Sequence, residues 1–167
     1  MIAHDIKHIV FDLDDTLLAT TSWQLKGYVS HIQPFEGVID ILNNLTIPYS
    51  ILTVGDIFTQ TQKVANAKIP AVHFVCADNG VEKLDCMSSI IRLYSLDSRR
   101  VLVIGDKISQ EIKYGNHLGC TTVRAMFGGK HDINHPQTQN ETPDFTVASV
   151  SSLVLLLSSW NILKTQV

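Results

Sequence analysis

Three cysteines in 167 residues, far apart and without a C-x-x-C pair, are too few and too scattered for a disulfide framework or a thiolate metal centre. Cys76, Cys86 and Cys120 read as small buried side chains in a reducing compartment, so a cytoplasmic protein is expected. Charge is also sparse. Charged residues make up 17% of the chain, 13 Lys and Arg against 16 Asp and Glu, for a net charge of −3. Like charges are not blocked together, so nothing draws the chain to a membrane surface, and the mildly acidic balance argues against nucleic acid as a partner. Long apolar runs are missing too: the longest near the C-terminus, 153–157, spans five residues, far short of a bilayer crossing. The first residues lead at once into an alternating segment rather than a signal-peptide core. No internal repeat or low-complexity tract is present.

What is present is an ordinary globular mixture, 45% hydrophobic. A chain of this length can bury roughly 70% of its unfolded surface and needs no staples to fold. A single domain over 1–167 is expected. Short β-branched apolar runs alternate with stretches of helical period. Strands are predicted at 9–11, 49–53, 71–76, 101–104 and 121–125, with a short edge strand at 145–147. Helices are predicted at 38–45, 57–66, 84–94, 109–118 and 150–163, and 127–143, rich in Gly, His, Asn and Gln, reads as a surface loop. Strands apolar throughout, separated by helices, imply an α/β three-layer sandwich whose central sheet is mostly parallel and covered on both faces. In such sheets function collects beyond the carboxyl ends of the strands, beside the point where strand order reverses.

Those ends carry chemistry. After the first strand stand Asp12, Asp14 and Asp15; after the second, Thr53, Val54 and Gly55; after the fourth, Gly105 and Asp106, with Glu111 five residues on. Lys83 opens the helix between the third and fourth strands. Two carboxylates about 4 Å apart repel by roughly 4 kcal/mol at an effective dielectric near 20. Asp12, Asp14, Asp106 and Glu111 converging on one edge therefore call for a cation. Mg²⁺ suits such oxygen ligands, keeping several waters and a substrate phosphate. With Lys83 it would cradle a phosphoryl group, which a neighbouring carboxylate could attack.

In this order the residues resemble the motifs of the haloacid dehalogenase-like (HAD) hydrolase superfamily. Asp12-Leu13-Asp14-Asp15-Thr16-Leu17 resembles its first motif, Thr53 its second and Lys83 its third, although Leu84 stands where the family often has proline. Gly105-Asp106, followed by Glu111, is similar to the fourth, and 119–123 and 143–145 to the family's C-terminal part. The resemblance implies a Rossmann-like fold and a Mg²⁺-dependent phosphatase acting on a phosphomonoester through an aspartyl-phosphate. It makes Asp12 the nucleophile and a metal ligand. Asp14 becomes the general acid and base, with its main-chain carbonyl on the metal, and Asp106 the second side-chain ligand. Thr53 and the backbone of Val54 and Gly55 would hold the phosphate with Lys83. Glu111 would hold a metal-bound water or orient Lys83. Asp14 matters to the choice of chemistry, because phosphatase members have this aspartate and dehalogenase members lack it. Asp15, Thr16 and Leu17 read as structural, and Lys107 has no assigned role.

Only 15 residues separate Leu18 from Pro34 and 29 separate Thr53 from Lys83, too few for a sizeable cap domain in either gap. An open site is expected, its selectivity supplied by the short insert at 19–33 with Trp23, Tyr28 and His31, by a macromolecular substrate, or by a homo-oligomer that shields a small one. The substrate could thus be a small molecule or a macromolecule. Transfer of the phosphoryl group to an acceptor other than water, or a silent binding or scaffold protein that keeps the fold, are the alternatives. His131 and His135 have a metal-like spacing, but with no third ligand nearby they read as a solvated loop rather than a zinc site.

Overall fold

A computed structural model describes residues 5–27, 31–70 and 72–164. Six strands form one parallel sheet: β1 (His8–Phe11), β2 (Tyr49–Val54), β3 (Phe74–Ala77), β4 (Val101–Gly105), β5 (Thr121–Ala125) and β6 (Phe145–Val147). Their order is β3-β2-β1-β4-β5-β6, so the winding reverses between β1 and β4. Every residue of β1 and β4 is buried, which explains why β4 and residues 9–11 of β1 are continuously apolar rather than alternating. Ile9 and Phe11, with Ile51, Leu102 and Ile104, face one layer, made by α2 (Val38–Asn44) and α6 (Val150–Ser159) through residues such as Ile41, Leu153 and Leu157. Val10, Leu52 and Val103 point the other way, onto Met87 and Ile90 of α4 (Gly80–Leu93). The period of two along the strands thus divides the core between two helical layers.

The strand β5, the helix α3 (Ile57–Asn66) and the edge strand β6 lie where the sequence predicts them. Other boundaries moved. The third strand begins only at Phe74, because residues 72 and 73 bend; Ala71 lies outside the described residues. The closing helix stops at Ser159 rather than 163, and Asn161 takes a left-handed turn that brings Leu163 against Leu45. The predicted helix at 109–118 is two pieces, a π-helical turn at Ile108–Ile112 running into α5 (Lys113–Leu118). A helix the sequence reading did not anticipate, α1 (Thr20–Leu25), fills part of the insert after β1. Among the described residues the chain between β1 and β2 holds only α1 and α2, and that between β2 and β3 only α3. No helix among them is long and apolar enough to cross a membrane.

Candidate active site

The ends of β1 and β4 are neighbours in the sheet, so the residues that leave them must meet. The Asp12 amide still belongs to the sheet, donating to the Ile104 carbonyl at 2.9 Å. Beyond it the chain curls into a tight loop: the Leu17 and Leu18 amides both donate to the Leu13 carbonyl at 2.9 Å. Asp15 takes a left-handed φ of 57° there. Both of its carboxylate oxygens are engaged by Thr21, through the amide at 2.8 Å and the hydroxyl at 2.6 Å. Asp15 is a structural turn residue, and Thr16 supports Asp12 with a long contact of 3.4 Å to Oδ2.

Lys83, in the first turn of α4, reaches under the sheet edge. Its Nζ lies 2.6 Å from Asp12 Oδ1 and also contacts Glu111 Oε1, and only 1% of the residue is exposed. Glu111 Oε2 accepts from the Lys107 amide at 3.0 Å. The π-helical turn aims this side chain back across Gly105, where a Cβ would overlap Glu111 Cβ and Cγ. Gly105 is therefore required by close approach. Burial pulls the Lys83 ammonium down, but the Asp12 and Glu111 charges outweigh it and hold the group well above the ordinary lysine value.

Asp12, Asp106 and Glu111 offer oxygens that all lie within 4.8 Å of one another. Both Asp106 oxygens are buried without a hydrogen-bond partner. Burial, then the Asp12 and Glu111 charges, raise its carboxyl to about 9. Burial raises Asp12 as well; Lys83 pulls it down and Glu111 pushes it back up, leaving it above the usual carboxylate range. Three carboxylates against one ammonium leave a net charge of −2 when all are ionised, the amount a divalent cation neutralises. An all-oxygen donor set with two orphaned acceptors fits a hard cation such as Mg²⁺.

Asp14 goes elsewhere. Its carboxylate turns outward, accepting from Thr20 Oγ1 at 2.5 Å, Gln60 Nε2 at 2.8 Å and Lys63 Nζ at 2.8 and 3.0 Å. Burial pushes this carboxyl up, but the hydrogen bonds from Lys63, Thr20 and Gln60 and the Lys63 charge prevail and hold it below the ordinary value. Thr53 is buried at the end of β2, its Oγ1 accepting from Gln60 Nε2 at 2.7 Å, and Val54 gives its carbonyl to the same amide at 2.9 Å. Gly55 corrects the sequence reading. Its N–H donates to the Ala77 carbonyl at 2.9 Å, continuing the ladder between β2 and β3, so it does not point at a phosphate.

A polar cavity of about 200 Å³ opens over Asp14, Asp106 and Val54. The residues around it were missed by the sequence reading. Lys63 comes from α3, one turn beyond Gln60, whose amide reaches Asp14 and Thr53, and Thr20, Thr21 and Gln24 come from α1. The signal for α3 was there: a helix that starts just after Asp56 must overhang the strand end that carries Thr53. Trp23, by contrast, packs on the main core, His31 is exposed, and Tyr28 lies outside the described residues. His131 is not a free loop residue but lines the cavity with Lys107 and Lys130, whereas His135 is exposed.

The chain resembles known proteins in the same sense. Residues 83–153 match the HAD-hydrolase-like family. Phosphoglycolate phosphatase 2 of Arabidopsis thaliana is 24% identical over 74 residues, 44% of this chain; the chain spans only about a quarter of that relative's length, 25%. A HAD family hydrolase of Deinococcus radiodurans, solved with phosphate and sodium bound, superposes with a TM-score of 0.79 over 98% of this chain and 100% of its own, at 13% identity. The L-2-haloacid dehalogenase of Xanthobacter autotrophicus matches at a TM-score of 0.68 over 92% of this chain and 98% of its own, with 14% identity. With the sheet order and the acids gathered at the β1–β4 edge, the chain has the fold of the haloacid dehalogenase-like hydrolases, and its residues 83–153 match that family.

Proposed function

We propose that the chain is a Mg²⁺-dependent phosphatase that hydrolyses a phosphomonoester through an aspartyl-phosphate on Asp12. The observation that carries this reading is the pairing of Asp12, gripped by Lys83, with the two partnerless oxygens of Asp106, beneath a cavity that Asp14 faces. Asp12 and Asp106 would hold the ion through their side chains and Asp14 through its main-chain carbonyl. Bound there, Mg²⁺ supplies charge neutralisation and orientation to the phosphoryl oxygens.

An Asp12 carboxylate oxygen attacks phosphorus; the new O–P bond forms as the ester P–O bond breaks, its electron pair leaving with the alcohol oxygen. Asp14 in its protonated form gives that oxygen its proton. Water then attacks the phosphoryl group and passes a proton to the Asp14 carboxylate. The bond to Asp12 breaks, releasing inorganic phosphate. The Lys63 contact holds Asp14 in the ionised form that this second half uses. Lys83 keeps the nucleophile oriented and ionised, and Glu111 positions Lys83. The Thr53 oxygen already accepts from Gln60, which leaves its own hydrogen to donate to a phosphoryl oxygen.

Phosphate release from an aryl phosphate, with Mg²⁺ and with EDTA, tests the reading on wild type and Asp12→Asn. Turnover that needs Mg²⁺ and vanishes in the variant, with circular dichroism unchanged, is expected. Undiminished turnover in Asp12→Asn refutes the covalent mechanism.

A further inference from the structure

The outer rim of the cavity has a charge pattern that phosphoryl transfer alone does not require. Of its three acids, Asp14 is paired with Lys63, Asp15 is held in its turn by a hydrogen bond from Thr21 to each oxygen, and Asp106 belongs to the acid cluster below. Lys107 and Lys130 line the same cavity, and among the described residues neither forms an ion pair.

Lys130 does not sit there by chance of a floppy loop. Asp132 Oδ2 accepts from the amides of Gly128 at 2.6 Å and Gly129 at 3.1 Å, closing the loop into a turn. From below, buried Arg124 donates to the His131 carbonyl at 2.9 Å and the Asp132 carbonyl at 3.3 Å. Gly129 packs so closely that a Cβ would fall 2.7 Å from Asp15 Cβ and 3.4 Å from Asp106 Oδ2. The fold therefore places Lys130 beside the acids on a supported turn, while the β4 end supplies Lys107.

We infer that Lys107 and Lys130 form an anion subsite for the leaving group, so that the substrate is a small phosphomonoester carrying a second anionic group, a carboxylate or another phosphate. This rests on the phosphatase reading and adds the substrate class to it. The cavity volume of about 200 Å³ lies below the range of drug-sized ligand sites, roughly 300–1,000 Å³, so a leaving group of a few carbons is favoured. Val54 is the single apolar residue on its wall, which offers nothing to an aryl or aliphatic tail. Two unpaired ammonium groups within reach of one small ligand select by charge, and their effect falls with salt.

Three esters on one carbon skeleton test this: 3-phosphoglycerate, glycerol 1,3-bisphosphate and glycerol 3-phosphate, which carry a carboxylate, a second phosphate and a neutral hydroxymethyl group. The kcat/KM for at least one anionic member should exceed that for glycerol 3-phosphate by about tenfold, equivalent to 1.4 kcal/mol. Whichever member is preferred identifies the second anion. The preference should fall below about twofold in the Lys107→Met, Lys130→Met double variant, whose fold is checked by circular dichroism. Calorimetric titration of the same three ligands into Asp12→Asn protein with Mg²⁺ should show the same ranking in Kd. Equal values for all three esters, or a preference that survives in the double variant, overturn the subsite. If the wild type hydrolyses the aryl phosphate but none of the three, the phosphatase reading stands and the subsite falls; if it hydrolyses neither, the phosphatase reading falls, and the ranking of Kd values decides the subsite separately.

Discussion

Lys83→Met is the sharpest perturbation of this structure, because it removes the one cation buried within the acid cluster while keeping most of the side-chain volume. Lys83 is 1% exposed and its ammonium touches both Asp12 and Glu111, so the variant leaves two carboxylates facing each other and Asp106 without a countercharge. Removing one partner of a buried ion pair typically costs about 3–5 kcal/mol. At about 2–4 °C per kcal/mol for a domain of this size, the midpoint of thermal unfolding should drop by roughly 10 °C. The deficit should depend on pH in a stated direction. The Asp12 carboxyl already stands above its unfolded value, so its folded form holds a proton more tightly than the unfolded chain. A raised carboxyl favours the folded state at low pH and loses that advantage as pH rises through its folded value. Lys83 limits this loss, and without it the penalty grows, so the deficit should be larger at about pH 8 than at about pH 5. Urea titrations read as midpoint shifts at constant slope measure it directly. A deficit below about 1 kcal/mol, or one equal at both pH values, would show that the acids are compensated by something other than Lys83.

Asp106→Asn replaces a buried carboxyl that has no hydrogen-bond partner and whose ionisation burial and the neighbouring acids oppose, so without metal the variant should be at least as stable as wild type. It should also lose most of the stabilisation by Mg²⁺, about 2.7 kcal/mol at a hundredfold excess over Kd in wild type, and an equal thermal shift in both proteins would refute Asp106 as a ligand. At the opposite end of the strands, His8 is buried with Nε2 2.8 Å from Ser50 Oγ and Nδ1 unpartnered. Burial, and then the charge of His73, lower the His8 imidazole to about 4. Between about pH 6.5 and pH 4 the unfolded chain takes up a proton that the folded one refuses, so stability should fall with falling pH by up to about 3 kcal/mol. His8→Asn should flatten that slope in urea midpoints across the window; an unchanged slope would assign it to other groups.

Much of this protein was legible as local pattern. Uninterrupted apolar runs marked residues 9–11 of β1 and the whole of β4 because both faces of a parallel sheet are covered, and the acids that follow β1 and β4 stood out as polar residues where those runs stop. The same patterns placed Lys83 beside a helix start and Asp12 and Asp106 at strand ends; that the two strands are neighbours came from the sheet order. Short-range signals were less reliable where main-chain hydrogen bonding decides the outcome. Gly55 looks free in sequence, yet its N–H completes a ladder to Ala77. The π-helical turn at Ile108–Ile112 could not be read from helical period, though it is what carries Glu111 over Gly105.

The chemistry the sequence by itself determined is the set of reactive groups and their order along the chain, since strand period and turn residues are local properties. Only the tertiary structure decided how they pair. Lys83 meets Asp12 across 71 residues and Lys63 meets Asp14 across 49, separations bridged by crossover helices whose packing angles no local pattern encodes. Packing therefore sorted two neighbouring aspartates into different surroundings: Asp12 lies buried among acids, while Asp14 turns outward to a lysine. It also raised Lys130 to the rim, where the charge of a surface loop becomes part of the site.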